Sequence, residues 1–194
     1  MQKIILASSS PRRKELMALL FGDNFEIITS AYEEDNTLNL PPKELVLLHS
    51  LEKGRDVAEK LQEGIVISAD TLVAFENEVL GKPKTTQEAK EMLNEINGKI
   101  VEVLTGLAVI DAKNKKELQD FERAKIKIKQ MTSQEISGYI GTGEPLDKAG
   151  AFAVQGKGAV LIEKIEGDFF GIVGLPLFKL NNLLNQLGIS VFDL

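Results

Sequence analysis

A chain of 194 residues, 43% of them hydrophobic, has material for one core of ordinary size or for two lobes around a cleft. Its net charge of −6 opposes broad binding to nucleic acid or to an anionic membrane, both of which attract basic surfaces. With no cysteine there is no disulfide, thiolate metal site or cysteine nucleophile. No charged-then-apolar leader opens the chain and no apolar run is long enough to span a bilayer, so a soluble cytoplasmic protein is expected.

The apolar run Ile4-Ile5-Leu6-Ala7 predicts a buried strand that turns at Ser8-Ser9-Ser10-Pro11-Arg12-Arg13 directly into a helix. Ser10 suits the N-cap, and Pro11 suits the first helical position, where its missing N–H costs nothing. Leu16, Leu19 and Leu20 follow at helical spacing. Arg12 and Arg13 lie beside the positive end of the helix dipole, an unfavourable place for cations. Free backbone N–H groups, serine hydroxyls and two converging guanidinium forks suit an anion, most naturally phosphate. A capped surface helix whose arginines pair with distant carboxylates fits the same stretch, and the residues alone do not separate the two.

Phe25–Ile28 predicts a second strand, leading to the acidic loop Glu33-Glu34-Asp35, which by itself reads as a solvated turn. Pro41-Pro42 opens a long helical pattern through Leu45, Leu48, Leu51, Val57, Ala58 and Leu61, with Gly64 as its stop. His49 and Lys53, four apart, share a face. As the only histidine, His49 suits packing or the surface better than ligation. Ile65–Thr71 is a short apolar run suited to a strand buried on both faces. It places Asp70 at the carboxyl end of that strand, where open α/β sheets bind ligands. Leu72–Phe75 and Glu78–Leu80 around Glu76-Asn77 predict a hairpin, running into Gly81-Lys82-Pro83.

Thr85 and Glu88 predict a capping box for a helix through Ala89, Met92, Leu93 and Ile96, with Gly98 past its end. Two long strands are expected around Ile100–Ile110 and Leu118–Ile128, turning at Lys113-Asn114. Thr132 and Glu135 cap a short helix that ends near Ile140. The glycine-rich polar stretch Asp147–Gly158 follows the loop Gly141–Pro145. Then come a strand over Ala159–Ile165 and a turn at Gly167–Gly171. Gly174-Leu175-Pro176 starts a last helix with Leu177, Leu180, Leu183, Leu184 and Leu187 as its apolar face. The whole reads as a mixed α/β fold, a twisted sheet with helices on both sides.

Several common machines are absent: no G-x-x-x-x-G-K-[ST], no G-x-G-x-x-G after a strand, no H-E-x-x-H and no G-x-S-x-G. What remains is a set of cations (Arg12, Arg13, Lys53, Lys82, Lys148), the carboxylate of Asp70, the nearby acids Glu33 and Glu34, and glycine-rich loops. Phosphoryl or nucleotidyl chemistry needs such a kit. Cations hold phosphate oxygens, a carboxylate binds a divalent ion or activates water, and glycines let the backbone approach.

The chain also resembles a known family over essentially its whole length. The motifs, in order, are S-S-S-P-R-R at Ser8–Arg13, Lys53 near the end of the second helix, S-A-D-T at Ser68–Thr71 and G-K-P at Gly81–Pro83. They continue with T-G at Thr105–Gly106, G-E-P-L-D-K-A-G at Gly143–Gly150, V-Q-G at Val154–Gly156 and G-L-P at Gly174–Pro176. The family is that of the Maf (septum-formation-inhibitor-like) nucleoside triphosphate pyrophosphatases. The resemblance implies a single Maf-like domain over residues 1–194, two-lobed and related to the inosine-triphosphate pyrophosphatases, working as a homodimer. It implies hydrolysis of a nucleoside triphosphate to the monophosphate and pyrophosphate with a divalent cation, Mg²⁺ or Mn²⁺.

Carried over by position, the resemblance implies that Asp70 is the catalytic proton acceptor. Ser8, Arg12, Arg13, Lys53 and Lys82 become triphosphate- or metal-site residues, and Glu34, with Asp70, an acidic position for the metal. The branch acting on dTTP and UTP is similar at Arg12, Thr71 and Gln155. A glutamine amide offers one donor and one acceptor to the acceptor-donor-acceptor edge of uracil or thymine. The chain departs from the family at Val101, where many members have histidine, at Gly54 after Lys53, and at Asp168-Phe169-Phe170. Modified pyrimidine nucleotides are a further substrate class to test. The rival reading is a non-catalytic nucleotide-binding regulator of cell division; a nucleic-acid module is disfavoured by charge and by an aromatic content of 6%.

Overall fold

In the computed structural model, which describes residues 2–193, the apolar run at Ile65 does not stop at Thr71. It continues as one eleven-residue strand, Ile65–Phe75, with Asp70 in its middle. The reason is local: nothing between Asp70 and Phe75 can turn, and the first residues with positive φ are Glu76 (51°) and Asn77 (68°). That pair makes the tight turn to Glu78–Leu80. The expectation that Asp70 closes its strand is therefore corrected.

In chain order the strands are β1 (Ile4–Leu6), β2 (Glu26–Ile27), β3 (Ile65–Phe75), β4 (Glu78–Leu80), β5 (Ile100–Asp111), β6 (Lys116–Ile128) and β7 (Ile162–Glu166). The helices are α1 (Pro11–Phe21), α2 (Pro42–Ala58), α3 (Thr86–Glu95), α4 (Ser133–Ile140), α5 (Phe169–Val173) and α6 (Leu177–Gln186). Among the described residues one seven-stranded sheet runs β2-β1-β3-β5-β6-β7, with β4 on the remaining part of the β3 edge. β1 is parallel to β2 and β3, and all other pairs are antiparallel. This is the mixed α/β class read from the sequence. No helix of the described residues is long and apolar enough to cross a membrane.

Side chains alternate across the sheet. Ile65, Ile67 and Ala69 of β3 pack with Ile4, Leu6, Leu107 and Val109 beneath α1 and α6. Val66 faces the other way, onto Val57 and Ala58 of α2, and Leu72 and Ala74 meet Leu45 and Val46 of the same helix. A third cluster joins α3 and α4 to Val101, Val103, Ile126 and Ile128. α2 reaches β5 closely: a Cβ on Gly106 would stand 2.0 Å from the carbonyl oxygen of Val46. Only glycine fits there, which accounts physically for the T-G pair.

All three expected N-caps hold. Ser10 accepts from the Arg13 N–H with Pro11 in the first turn, Thr85 accepts from the Glu88 N–H, and Thr132 with Glu135 makes the full reciprocal box. Glu88, however, reaches past Thr85 to the N–H of Lys84, so that box is not closed. Other boundaries move. Leu19 is 66% exposed, and Met17 and Phe21 take the core positions instead. α2 ends at Ala58 and not at Gly64, whose positive φ and contact with Ile5 serve the entry to β3. The strand expected from Ala159 begins only at Ile162, after 3-10 turns over Gly156–Leu161. The turn expected at Gly167–Gly171 is a short helix instead, because the Asp168 carboxylate accepts from the N–H groups of Phe170 and Gly171.

One edge of β3 is where the site forms. β1 pairs along it as far as Ile67, and β4 resumes at Val73. Between them, among the described residues, no strand covers that edge. The sheet has a notch there, lined by both Asp70 and Thr71.

Candidate functional site

The notch is the floor of a cleft of about 530 Å³, a size suited to a nucleotide-sized ligand. Ser8 to Arg13 at the start of α1 line one side, Lys53 and Glu34 another, and Lys82, Lys148 and Gln155 the rim. The sequence-predicted residues Ser8, Arg12, Arg13, Glu34, Lys53, Asp70, Thr71, Lys82 and Gln155 all line it. Glu33 does not.

Alternation on β3 sends Asp70 and Thr71 to opposite faces. Asp70 faces α2 and meets Lys53, whose Nζ lies 2.6 Å from Oδ1. The same ammonium donates to Glu34 Oε1, so one cation stands between two carboxylates. The Asp70 side chain is 4% exposed, and its second oxygen, Oδ2, has no hydrogen-bond partner among the described residues. Burial pushes the Asp70 carboxyl above its ordinary range, aided by the Glu34 charge and opposed by Lys53 and Arg13. For Glu34, burial acts upward, but the Lys53 charge and hydrogen bonds outweigh it and hold the carboxyl below its usual value. The environment thus separates the two acids.

Thr71 faces the other way and meets Arg13. The Arg13 guanidinium donates through Nε to Gly174 C=O (2.9 Å), through Nη1 to Ser8 Oγ (3.3 Å) and through Nη2 to Thr71 Oγ1 (3.1 Å). The two arginines are therefore not equivalent forks. Arg13 is tied on three sides and keeps two N–H groups, whereas Arg12 is exposed at the rim. Ser8 Oγ also accepts from the Ser10 N–H at 3.2 Å. With both lone pairs engaged, its own proton is left for an acceptor in the cleft, so Ser8 suits a phosphate oxygen and not a cation. Lys148 is paired with Asp147 at 2.6 Å, and Lys82 is exposed.

Sequence reasoning missed how the acidic loop is held. Three positions on one face of α2 anchor it: Asp56 accepts from Ser30 Oγ and the Ala31 N–H, His49 Nδ1 bonds Tyr32 Oη at 2.9 Å, and Lys53 holds Glu34. His49 is fully buried, so it packs, but it also supports the site. The 49-53-56 spacing was visible; the loop crossing above it was not. Missed too was Glu144, which accepts from Tyr139 Oη and from the N–H groups of Lys157 and Gly158. Those contacts fix the backbone that follows Gln155.

A divalent cation is compatible with these donors. Among the described residues no cluster of three or more acidic or histidine side chains could hold one unaided. Mg²⁺, however, takes one or two carboxylates and completes its shell with water and substrate phosphate. The unpartnered Asp70 Oδ2 and the adjacent Glu34 carboxylate supply that much.

The family model and the sequence relatives agree on the family. A family model described as Maf-like protein matches residues 3–187. A protein named dTTP/UTP pyrophosphatase from Methanococcoides burtonii is 53% identical over 193 residues, covering 100% of this chain and 99% of the relative. Relatives of the same name from Methanosarcina mazei (54%, 100% of this chain and 98% of the relative) and Caldicellulosiruptor saccharolyticus (46%, 97% and 96%) are similar over nearly their whole lengths. A solved HAM1 protein from Coxiella burnetii aligns with 66% of this chain and 73% of its own at 16% identity, with a TM-score of 0.45.

Proposed function

This chain belongs to the Maf-like protein family, and from that membership and the cleft we propose that it is a nucleoside triphosphate pyrophosphatase acting on dTTP and UTP. The observation that carries the reading is the Lys53 ammonium held between Glu34 and Asp70, facing the hydroxyls and cations at the start of α1. A triphosphate tail fits between these groups. Ser8 and the two remaining Arg13 N–H groups donate to its oxygens, and Arg12, Lys53 and Lys82 neutralise its charge. Glu34 and Asp70 would hold Mg²⁺ or Mn²⁺, which supplies Lewis-acid stabilisation of the phosphoryl oxygens.

In this reading Asp70 takes the proton of the attacking water. A carboxyl raised by burial is a stronger base than an exposed one, and Lys53 keeps it ionised until the proton arrives. The water adds to the α-phosphorus, and the bond to the bridging oxygen breaks to release pyrophosphate. At the rim, the Gln155 amide pairs with the uracil or thymine edge, held by a backbone that Glu144 clamps. Residues 1–194 act as one Maf-like domain, paired as a homodimer.

The test is product analysis. Purified protein with Mg²⁺ or Mn²⁺ is given every standard triphosphate and a panel of modified pyrimidine ones, and monophosphate, pyrophosphate and orthophosphate are quantified. Pyrophosphate from dTTP and UTP ahead of the others is expected. Thermal stabilisation by dTTP without turnover would instead identify a nucleotide-binding regulator.

A further inference from the structure

Beneath the cleft runs a hydrogen-bond chain whose direction follows from counting protons. Gly171 C=O can only accept, so its 2.8 Å bond from Thr105 Oγ1 takes the single proton of Thr105. Thr105 must then accept from Thr71 Oγ1 across 2.9 Å, which takes the single proton of Thr71. Left with lone pairs only, Thr71 Oγ1 accepts from Arg13 Nη2. The order is Arg13 to Thr71 to Thr105 to Gly171, with neither hydroxyl free to rotate elsewhere. Arg13 Nε closes a second tie to Gly174 C=O. The guanidinium is thereby tied to two carbonyls, that of Gly171 within α5 through the threonines and that of Gly174 just past its end directly.

Thr105 itself is 1% exposed and stands directly opposite Thr71 in the β3–β5 register. It lies under the cleft floor, out of reach of any ligand. At Gly171 α5 lies close against β6, where a Cβ would stand 2.9 Å from Glu122 Cγ.

We propose that Thr105 is a positioning residue that, through Thr71, aims the Arg13 guanidinium at the triphosphate. This rests on the reading that Arg13 holds the triphosphate.

The test is a double-mutant cycle on the whole protein. Thr105→Val keeps shape and removes the hydroxyl; it should raise KM for dTTP about tenfold with a smaller change in kcat, the scale of one lost buried hydrogen bond. Thr105→Ser restores the proton path and should stay within about twofold of the wild type. In an Arg13→Ala background, Thr105→Val should change kcat/KM by less than about twofold, because its target is gone. Additive losses in the Arg13→Ala background, or a serine variant as impaired as valine, would overturn the proposal. If Thr105→Val does not fold, Thr71→Val cuts the same chain at a less buried position and takes its place in the cycle.

Failure of the function reading is distinguishable. Should the wild type release no pyrophosphate at all, that reading falls, and the chain is judged by hydrogen exchange at Arg13 Nε followed by NMR. Exchange in Thr105→Val at least about tenfold faster supports the chain; unchanged exchange refutes it.

Discussion

Replacing Asp70 by asparagine should separate stability from activity. The introduced amide keeps an oxygen for Lys53 Nζ, which lies 2.6 Å from Oδ1 in the native protein, and loses only the charge behind that bond. A hydrogen bond to a charged group is worth about 1.5–3 kcal/mol. Against this, the amide is neutral and escapes the desolvation that burial imposes on the carboxylate, a cost of similar order. The two nearly offset. A net change within about 2 kcal/mol moves the melting midpoint by no more than about 8 °C in a chain of this length. The proton acceptor, by contrast, is gone, and positioned general bases contribute about 10²–10⁴ in rate, or about 2.7–5.5 kcal/mol of barrier. Pyrophosphate release from dTTP, measured beside a thermal melt of the same sample, reads both quantities. A metal series on the variant then divides the roles: recovery of rate at high metal would assign Asp70 to the ion and not to the proton. A rate loss under about tenfold, or a melt that collapses and carries the activity with it, would refute the reasoning.

Three further outcomes follow from the geometry. Gly106→Ala must push α2 off β5, because its Cβ would overlap the Val46 carbonyl; about 3 kcal/mol of stability should be lost in a denaturant titration, with activity falling alongside. Tyr32→Phe leaves His49 Nδ1 unpartnered next to an Nε2 that already lacks a partner, at a cost of about 1–2 kcal/mol. Because it loosens the loop that carries Glu34, it should raise the metal concentration for half-maximal rate more than the KM for nucleotide. On acidification two trends should separate. The Lys129 hydrogen bond, with those from Thr132, draws Glu135 down to about 2, so its support of α4 is complete above the ordinary glutamate range and is lost as pH falls towards 2. Asp70, raised by burial, works in the opposite sense: the folded chain takes up its proton before the unfolded one, and stability gains as pH falls through the raised value towards 3.8. Glu135→Gln should flatten the first trend and Asp70→Asn remove the second, both readable from urea midpoints against pH.

Much of this molecule was legible in its local chemistry. Ser10-Pro11, Thr132 with Glu135, the Glu76-Asn77 turn and the leucine face of the last helix all act over three or four residues, and the structure keeps them. The kit of cations and the lone strand carboxylate could also be enumerated, because residue type alone says what each group can hold. Tertiary structure decided which of those groups meet. That Asp70 and Thr71 address opposite faces of the sheet, and yet one cleft, depends on a gap between β1 and β4 that exists only once both strands have paired with β3. That Arg13 is tethered while Arg12 is free depends on Gly174, 161 residues along the chain. Short-range steric and hydrogen-bond preferences are written in neighbouring residues; the proton order of the Arg13 chain and the grip of α2 on the Glu34 loop come from contacts between distant segments, and no spacing in the sequence encodes them.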